Sequence, residues 1–194
     1  MPAVTMTIAE LTQRVTQTIG KPIHSPIVAN KGAQGLLLET LTGIPHTSNS
    51  LDCTDGELKV YPVIRNSKGA LVPKETVALC MLSTDDLRES GEFDASRPGK
   101  KMSTMLMVPY QRDGENITFL EPHLFRVTDH PEIAATLRGD YEAIRQKFLL
   151  DGMLTSATGK LLQNRTKGAG HGSTSRAFYL RKEFMKSLVP IHLG

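Results

Sequence analysis

Cysteine is scarce: Cys53 and Cys80 are too few for a disulfide framework and lack the CxxC spacing of a metal knuckle. No apolar run approaches the roughly 20 residues that span a bilayer. The start, Met1-Pro2-Ala3-Val4-Thr5, lacks the basic and then apolar pattern of a secretory signal. A reduced, cytoplasmic protein without a membrane partner is expected. The six histidines show no HExxH or paired zinc spacing, and no serine occupies a G-x-S-x-G elbow. Gly159-Lys160 runs into Leu161 and has no upstream glycine at phosphate-loop spacing. The glycine-rich stretch 168–172 does not match a dinucleotide fingerprint. Zinc hydrolases, nucleotide-binding loops and serine esterases therefore find no support.

A chain of 194 residues with 39% hydrophobic and 22% charged residues suits one globular domain with a sizeable core. Its net charge of +3 is unevenly spread. Residues 160–194 carry seven basic groups against Glu183, a net of +6, which leaves −3 for residues 1–159. A basic tail on a mildly acidic body suits a polyanion-binding face, because cations near phosphates release condensed counterions. A solubilising surface would have the same charge.

Periodicity supplies a coarse map. Thr7-Ile8-Ala9-Glu10 fits a capping box, followed at helical spacing by Ile8, Leu11, Val15 and Ile19 and stopped by Gly20-Lys21-Pro22. A second helix is expected over 33–41. Strands are expected over 57–63, 76–82, 102–108 and 117–120, with 83–101 a loop or short helix. Pro131 opens the longest helical stripe (Ile133, Leu137, Tyr141, Ile144, Phe148), which Gly139 is expected to interrupt. Strands over 160–166 and 177–181 would flank the glycine-rich loop, and a short helix over 182–188 closes the chain. The pattern predicts mixed helices around a small sheet, without repeats or a linker.

The chemistry concentrates in Asp52-Cys53-Thr54-Asp55-Gly56-Glu57-Leu58-Lys59, with Glu39 thirteen residues upstream of Asp52. Residues i and i+2 of a strand share a face, so Glu57 and Lys59 would project together while Leu58 points to the core. Carboxylates bind Mg²⁺ through oxygen, and a lysine beside them can steer or deprotonate a water. Those groups suffice to hydrolyse a phosphodiester. An acidic turn before a half-exposed strand is also common in proteins with no such chemistry. Glu39 strengthens the catalytic reading because it ends the apolar run Gly35-Leu36-Leu37-Leu38, where a solvated glutamate is less expected.

The order of these residues resembles a known family. Lys31-Gly32, Gly35, Leu37-Leu38-Glu39, Gly43, Asp52, Glu57-Leu58-Lys59 and Pro62-Val63 are similar to the MutH mismatch-repair endonucleases and their relatives, the restriction enzymes that cut GATC. Three further blocks follow in family order. Lys101 precedes an apolar strand ending in Val108-Pro109. Leu162-Gln163-x-Arg165-x-Lys167 comes later, and Arg176-x-Phe178-Tyr179-Leu180-x-Lys182-x-Phe184 lies near the C-terminus.

The resemblance implies an α/β fold of the restriction-endonuclease type, a mixed central sheet flanked by helices. It implies a single domain over 1–194, with a catalytic part to about 125 and a DNA-reading part from about 126. It assigns Asp52, Glu57 and the Leu58 main-chain carbonyl to a divalent metal, Mg²⁺ with Mn²⁺ as a substitute. It gives Lys59 the attacking water or the charged phosphorane, Glu39 the support of the metal site, and Lys101 the region of the scissile phosphate. Lys31, Arg165, Lys167, Arg176 and Tyr179 fall to the DNA-binding set, the tyrosine near an adenine whose methylation is sensed.

Two departures from the family pattern stand out. Four residues separate Asp52 from Glu57, a shorter gap than in the mismatch-repair members, so Asp55 competes with Asp52 as first ligand. A turn at Asp55-Gly56 that points Asp55 away favours Asp52. Ala33-Gln34 stands where those members carry an aromatic. The expected activity is Mg²⁺-dependent, sequence-specific cleavage of double-stranded DNA, leaving 5′-phosphate and 3′-hydroxyl ends. A restriction version would cut both strands at GATC-like sites, as a homodimer on a palindrome. A repair version would nick one strand of hemimethylated DNA with a MutL-type ATPase. The short chain and the altered loop favour restriction. A non-catalytic, methylation-sensitive DNA-binding module is the alternative of another class.

Overall fold

A computed structural model describes residues 6–28, 32–44, 51–167 and 175–188. The elements in chain order are α1 (Ile8–Thr16), β1 (Pro22–His24), α2 (Ala33–Thr42), β2 (Glu57–Arg65), β3 (Leu71–Pro73), β4 (Val77–Met81), α3 (Thr84–Glu89), α4 (Arg97–Met102), β5 (Thr104–Asp113), β6 (Asn116–Phe119), β7 (His123–Arg126), α5 (Pro131–Asp151), β8 (Leu162–Thr166), β9 (Arg176–Leu180) and α6 (Lys182–Leu188). They fall into two compact units. One takes the described residues of Met1–Glu75 with Thr104–Phe125, and the other takes Thr76–Ser103 with Arg126–Leu188. The fold is mixed α/β with a central mixed sheet flanked by helices, as expected.

The first unit holds the larger sheet, in the order β1-β6-β5-β2-β3, with β7 also paired to β5. Strands β2 and β5 run parallel, Glu57 opposite Met105 and Lys59 opposite Met107, whereas β1–β6, β5–β6 and β2–β3 are antiparallel. Helix α1 begins where the sequence places it. Thr7 Oγ1 accepts from the Glu10 amide and Glu10 Oε2 accepts from the Thr7 amide, completing the capping box. Its buried stripe, Ile8, Leu11 and Val15, joins Leu38 of α2, Leu58 of β2, and Leu106, Val108, Ile117 and Phe119 in one core. Helix α2 ends at Gly43, whose φ of 74° allows the Gly43 and Ile44 amides to close on the carbonyls of Thr40 and Glu39. Arg14 of α1 also donates to the Thr42 carbonyl at 2.8 Å, pinning the end of one helix to the other.

The second unit holds the antiparallel sheet β4-β9-β8. Tyr141 of α5 packs its ring against Phe93 and against Phe178 of β9, and its hydroxyl meets Ser90 Oγ at 2.7 Å. Asp140, also on α5, accepts from the amides of Lys160, Leu161 and Leu162 at 2.6–2.9 Å and so fixes the entry to β8.

Three local expectations need correction. Helix α5 runs through Gly139 without a break. Met102 does not open a strand: it ends α4, which Ser96 caps through the Gly99 amide, and β5 starts at Thr104. The single small sheet is instead two sheets, with β1, β3 and β7 added to the anticipated strands.

Candidate active site

The site is built on β2. Strand alternation sends Leu58 into the core beside α1 and α2, and turns Glu57 and Lys59 to the opposite face. Glu57 is only 2% exposed, and Lys59 Nζ donates to its Oε1 at 2.6 Å. This is the juxtaposition that the i, i+2 spacing predicts. A charge-assisted bond of this length, with the lysine 16% exposed, holds the ammonium in place.

The turn before β2 brings up the other acids. Asp52 Oδ2 accepts from the Leu58 amide at 3.0 Å, so this carboxylate sits against the backbone of the residue whose carbonyl was assigned to the metal. Asp55 is engaged elsewhere: its Oδ1 accepts from the Ile8 amide at 2.7 Å, at the start of α1. Between them Cys53 is buried, and its amide donates to the Gly56 carbonyl at 2.9 Å. Burial first, and then the charges of Asp52, Asp55, Glu57 and Glu10, push the Cys53 thiol up to about 12. The thiol therefore stays protonated at neutral pH and is inert as a nucleophile.

Glycine is required at position 56. A Cβ there would lie 2.5 Å from Ile8 Cγ1 and 2.9 Å from the Thr104 carbonyl oxygen. Glu39 is half-buried on α2, next to the buried Leu38 that packs in the same core as Leu58.

This donor set fits a hard divalent cation. Asp52 and Glu57 would supply carboxylate oxygens, the donor type such a cation takes, beside a Cys53 thiol that burial and the neighbouring acids keep protonated. Among the described residues no three histidine, cysteine, aspartate or glutamate side chains group to hold a metal. Mg²⁺ does not need such a cage, since it commonly takes one or two carboxylates and completes its octahedron with waters and substrate phosphate.

The remaining expected residues lie elsewhere. Lys101 sits on α4 in the second unit. Lys31 lies outside the described residues. In the second unit, Arg165 of β8 pairs with Ala177 and Gln163 with Tyr179, which puts Arg165 and Tyr179 on one face of the sheet. The Arg165 guanidinium lies over the Tyr179 ring at 5.5 Å from its centroid, and its Nη1 donates to Thr76 Oγ1 at 2.9 Å. Arg176 occupies the other face, where its Nε donates to the buried Asn164 Oδ1 at 2.7 Å. Lys167 is exposed just beyond β8.

Sequence reasoning missed the parts played by Asp55, Thr76 and Asn164. Adjacent polar residues on β8, Gln163 and Asn164, were a signal that both of its faces bear polar contacts. Nothing local to Asp55 or Thr76 names a partner 47 or 89 residues away.

Among the described residues no helix is long and apolar enough to cross a membrane. No curated protein matches the chain. A family model does, that of the DNA mismatch repair enzyme MutH, over residues 46–131. The matched stretch takes in Asp52, Glu57, Lys59 and Lys101, and stops short of Glu39 on one side and of Arg165 and Tyr179 on the other. Residues 46–131 are thus similar to the MutH family of DNA mismatch repair enzymes.

Proposed function

We propose that this chain is a divalent-metal-dependent, sequence-specific endonuclease that hydrolyses phosphodiesters of double-stranded DNA by in-line attack of water. The observation that carries the reading is the buried Glu57–Lys59 pair, with Asp52 held on the Leu58 amide beside it. Asp52, Glu57 and the Leu58 carbonyl would hold the cation, Mg²⁺ or in its place Mn²⁺. Once bound, it would supply positive charge at the phosphoryl oxygens and at the leaving oxygen. Lys59 adds a fixed ammonium, preorganised by Glu57, where negative charge accumulates in the transition state. Glu39 would support the acidic locus from α2, and Lys101 is the further lysine that the family pattern assigns to the scissile phosphate.

Reading of DNA falls to Arg165, Lys167, Arg176 and Tyr179, with Lys31 as a further contact. An arginine held over an aromatic ring and tethered to Thr76 has lost much of its rotamer freedom, which suits bidentate recognition of guanine O6 and N7. Arg176, anchored on Asn164, is better suited to a phosphate than to a base edge.

Two versions of the activity differ in strand count. The shortened acidic turn favours restriction-type cutting of both strands, with two copies on a palindromic GATC-like site. The matched family's description, a DNA mismatch repair enzyme, favours the repair version, in which one strand of hemimethylated DNA would be nicked with a MutL-type ATPase. A supercoiled plasmid with a single GATC, prepared unmethylated, hemimethylated and fully methylated, separates them. Linear product from unmethylated DNA supports restriction. Nicked circles confined to unmethylated strands support repair. Binding without cutting under every condition, ATPase included, would instead identify a DNA-binding module.

A further inference from the structure

The short turn between Asp52 and Glu57 is held from both sides. On one side, Asp52 Oδ2 takes the Leu58 amide. On the other, three features fasten the turn to the start of α1 and to Met6 just before it. Asp55 Oδ1 takes the Ile8 amide at 2.7 Å, the Thr54 amide donates to the Met6 carbonyl at 3.0 Å, and the missing side chain of Gly56 lets Ile8 close over it. The Cys53–Gly56 hydrogen bond then closes the turn on itself. Helix N-termini leave amides without intrahelical partners and favour nearby anions, so an Asp55 carboxylate on Ile8 is a strong anchor.

We infer that Asp55 is a positioning residue, not a ligand: by latching the turn onto α1 it sets the Asp52 carboxylate against the Leu58 amide and so in place for the cation. The inference rests on the reading of Asp52 as a metal ligand. It also makes the first turn of α1 part of the support of the site, although α1 carries no residue of the proposed chemistry. The shortened gap is workable on this view because Asp55 anchors the turn to a second element.

The test compares the full-length wild type with Asp55→Asn, Asp55→Ala and Asp52→Asn. Asparagine keeps an oxygen acceptor for Ile8 and removes only the charge, so it separates the latch from a ligand. Two readouts are taken: hydrogen exchange of the Leu58 amide by NMR without metal, and Mn²⁺ affinity by calorimetry. Losing a hydrogen bond to a charged group shifts an equilibrium by about tenfold or more. Asp55→Ala should therefore speed Leu58 exchange and weaken Mn²⁺ binding by about tenfold, whereas Asp55→Asn stays within about threefold of wild type in both. Asp52→Asn should lose more Mn²⁺ affinity than either.

An Asp55→Asn variant that loses as much Mn²⁺ affinity as Asp52→Asn would overturn the inference and make Asp55 a ligand. An Asp55→Ala variant unchanged in both readouts would overturn it as well. If Asp55→Ala fails to fold, the Asp55→Asn comparison with Asp52→Asn decides alone. If the wild type binds no Mn²⁺ while Leu58 still responds to Asp55→Ala and not to Asp55→Asn, the latch stands and the metal reading falls.

Discussion

Removing Lys59 should cost this protein stability as well as activity. Its ammonium sits 2.6 Å from Oε1 of a carboxylate that is 2% exposed. Lys59→Met leaves that carboxylate buried without its ammonium, a change that typically costs about 3–5 kcal/mol. The lysine is 16% exposed, so solvent takes over part of the role and the low end of that range is expected. Glu57→Gln/Lys59→Met removes both charges at nearly unchanged volume. Such double replacements are often neutral, so the double variant should lie within about 1 kcal/mol of wild type. The coupling energy of the cycle is then about 2–4 kcal/mol. Urea unfolding at neutral pH in chelator, for the wild type, both single variants and the double, measures it. A coupling below about 0.5 kcal/mol, the value of an ordinary exposed ion pair, would show that this pair is not the buried, preorganised unit argued for here.

Gly56→Ala forces a Cβ to within 3 Å of Ile8 and of the Thr104 carbonyl, and should lower urea-unfolding stability by about 1–3 kcal/mol through overpacking. Burial, with the neighbouring acids, raises Cys53 to about 12, and burial raises Tyr61 to about 12. In both cases the folded state keeps its proton after the unfolded chain has lost it. Stability is therefore full below the unfolded pKa values of about 8.5 and 10, and it falls as pH rises toward 12. The stability–pH profile of Cys53→Ala should be flatter than wild type from about pH 8.5 upward. Asp140→Ala removes the acceptor of three amides at the start of β8 and should cost about 2–4 kcal/mol, with exchange of the Leu161 and Leu162 amides rising first. On the DNA-reading proposal, Arg165→Ala should relax discrimination at one base pair by about 1–3 kcal/mol in competition gel shifts. Thr76→Val should give a smaller loss in the same assay, because the stack on Tyr179 remains.

The legible parts of the fold were those where local and tertiary signals agree. Helix α6 falls on the anticipated residues, and α1 starts at its capping box. Gly139 misled because one glycine inside a helix costs only about 1 kcal/mol. Burial of Ala134, Leu137, Tyr141 and Ile144 along α5 outweighs it. The three-residue strands β1 and β3 have no signature of their own. Pro22–His24 becomes a strand because Asn116–Thr118 offers it an edge, and Leu71–Pro73 because β2 does. The pairing of Glu57 with Lys59 was legible because it needs only the two-residue period of a strand. The hold of Asp55 on the Ile8 amide depends on where α1 begins in space, which the Asp55-Gly56 dipeptide does not encode.

The most direct test of the central claim takes one protein through two assays. Glu57→Gln is compared with wild type for cleavage of a short end-labelled GATC duplex in Mg²⁺, and for binding of the same duplex by gel shift in Ca²⁺. The account predicts that the variant binds within about threefold of wild type but cuts at least about a hundredfold more slowly, the cost of losing a group that stabilises transition-state charge. A variant that still cuts at the wild-type rate would contradict the account, and so would one that stays folded but binds and cuts equally poorly.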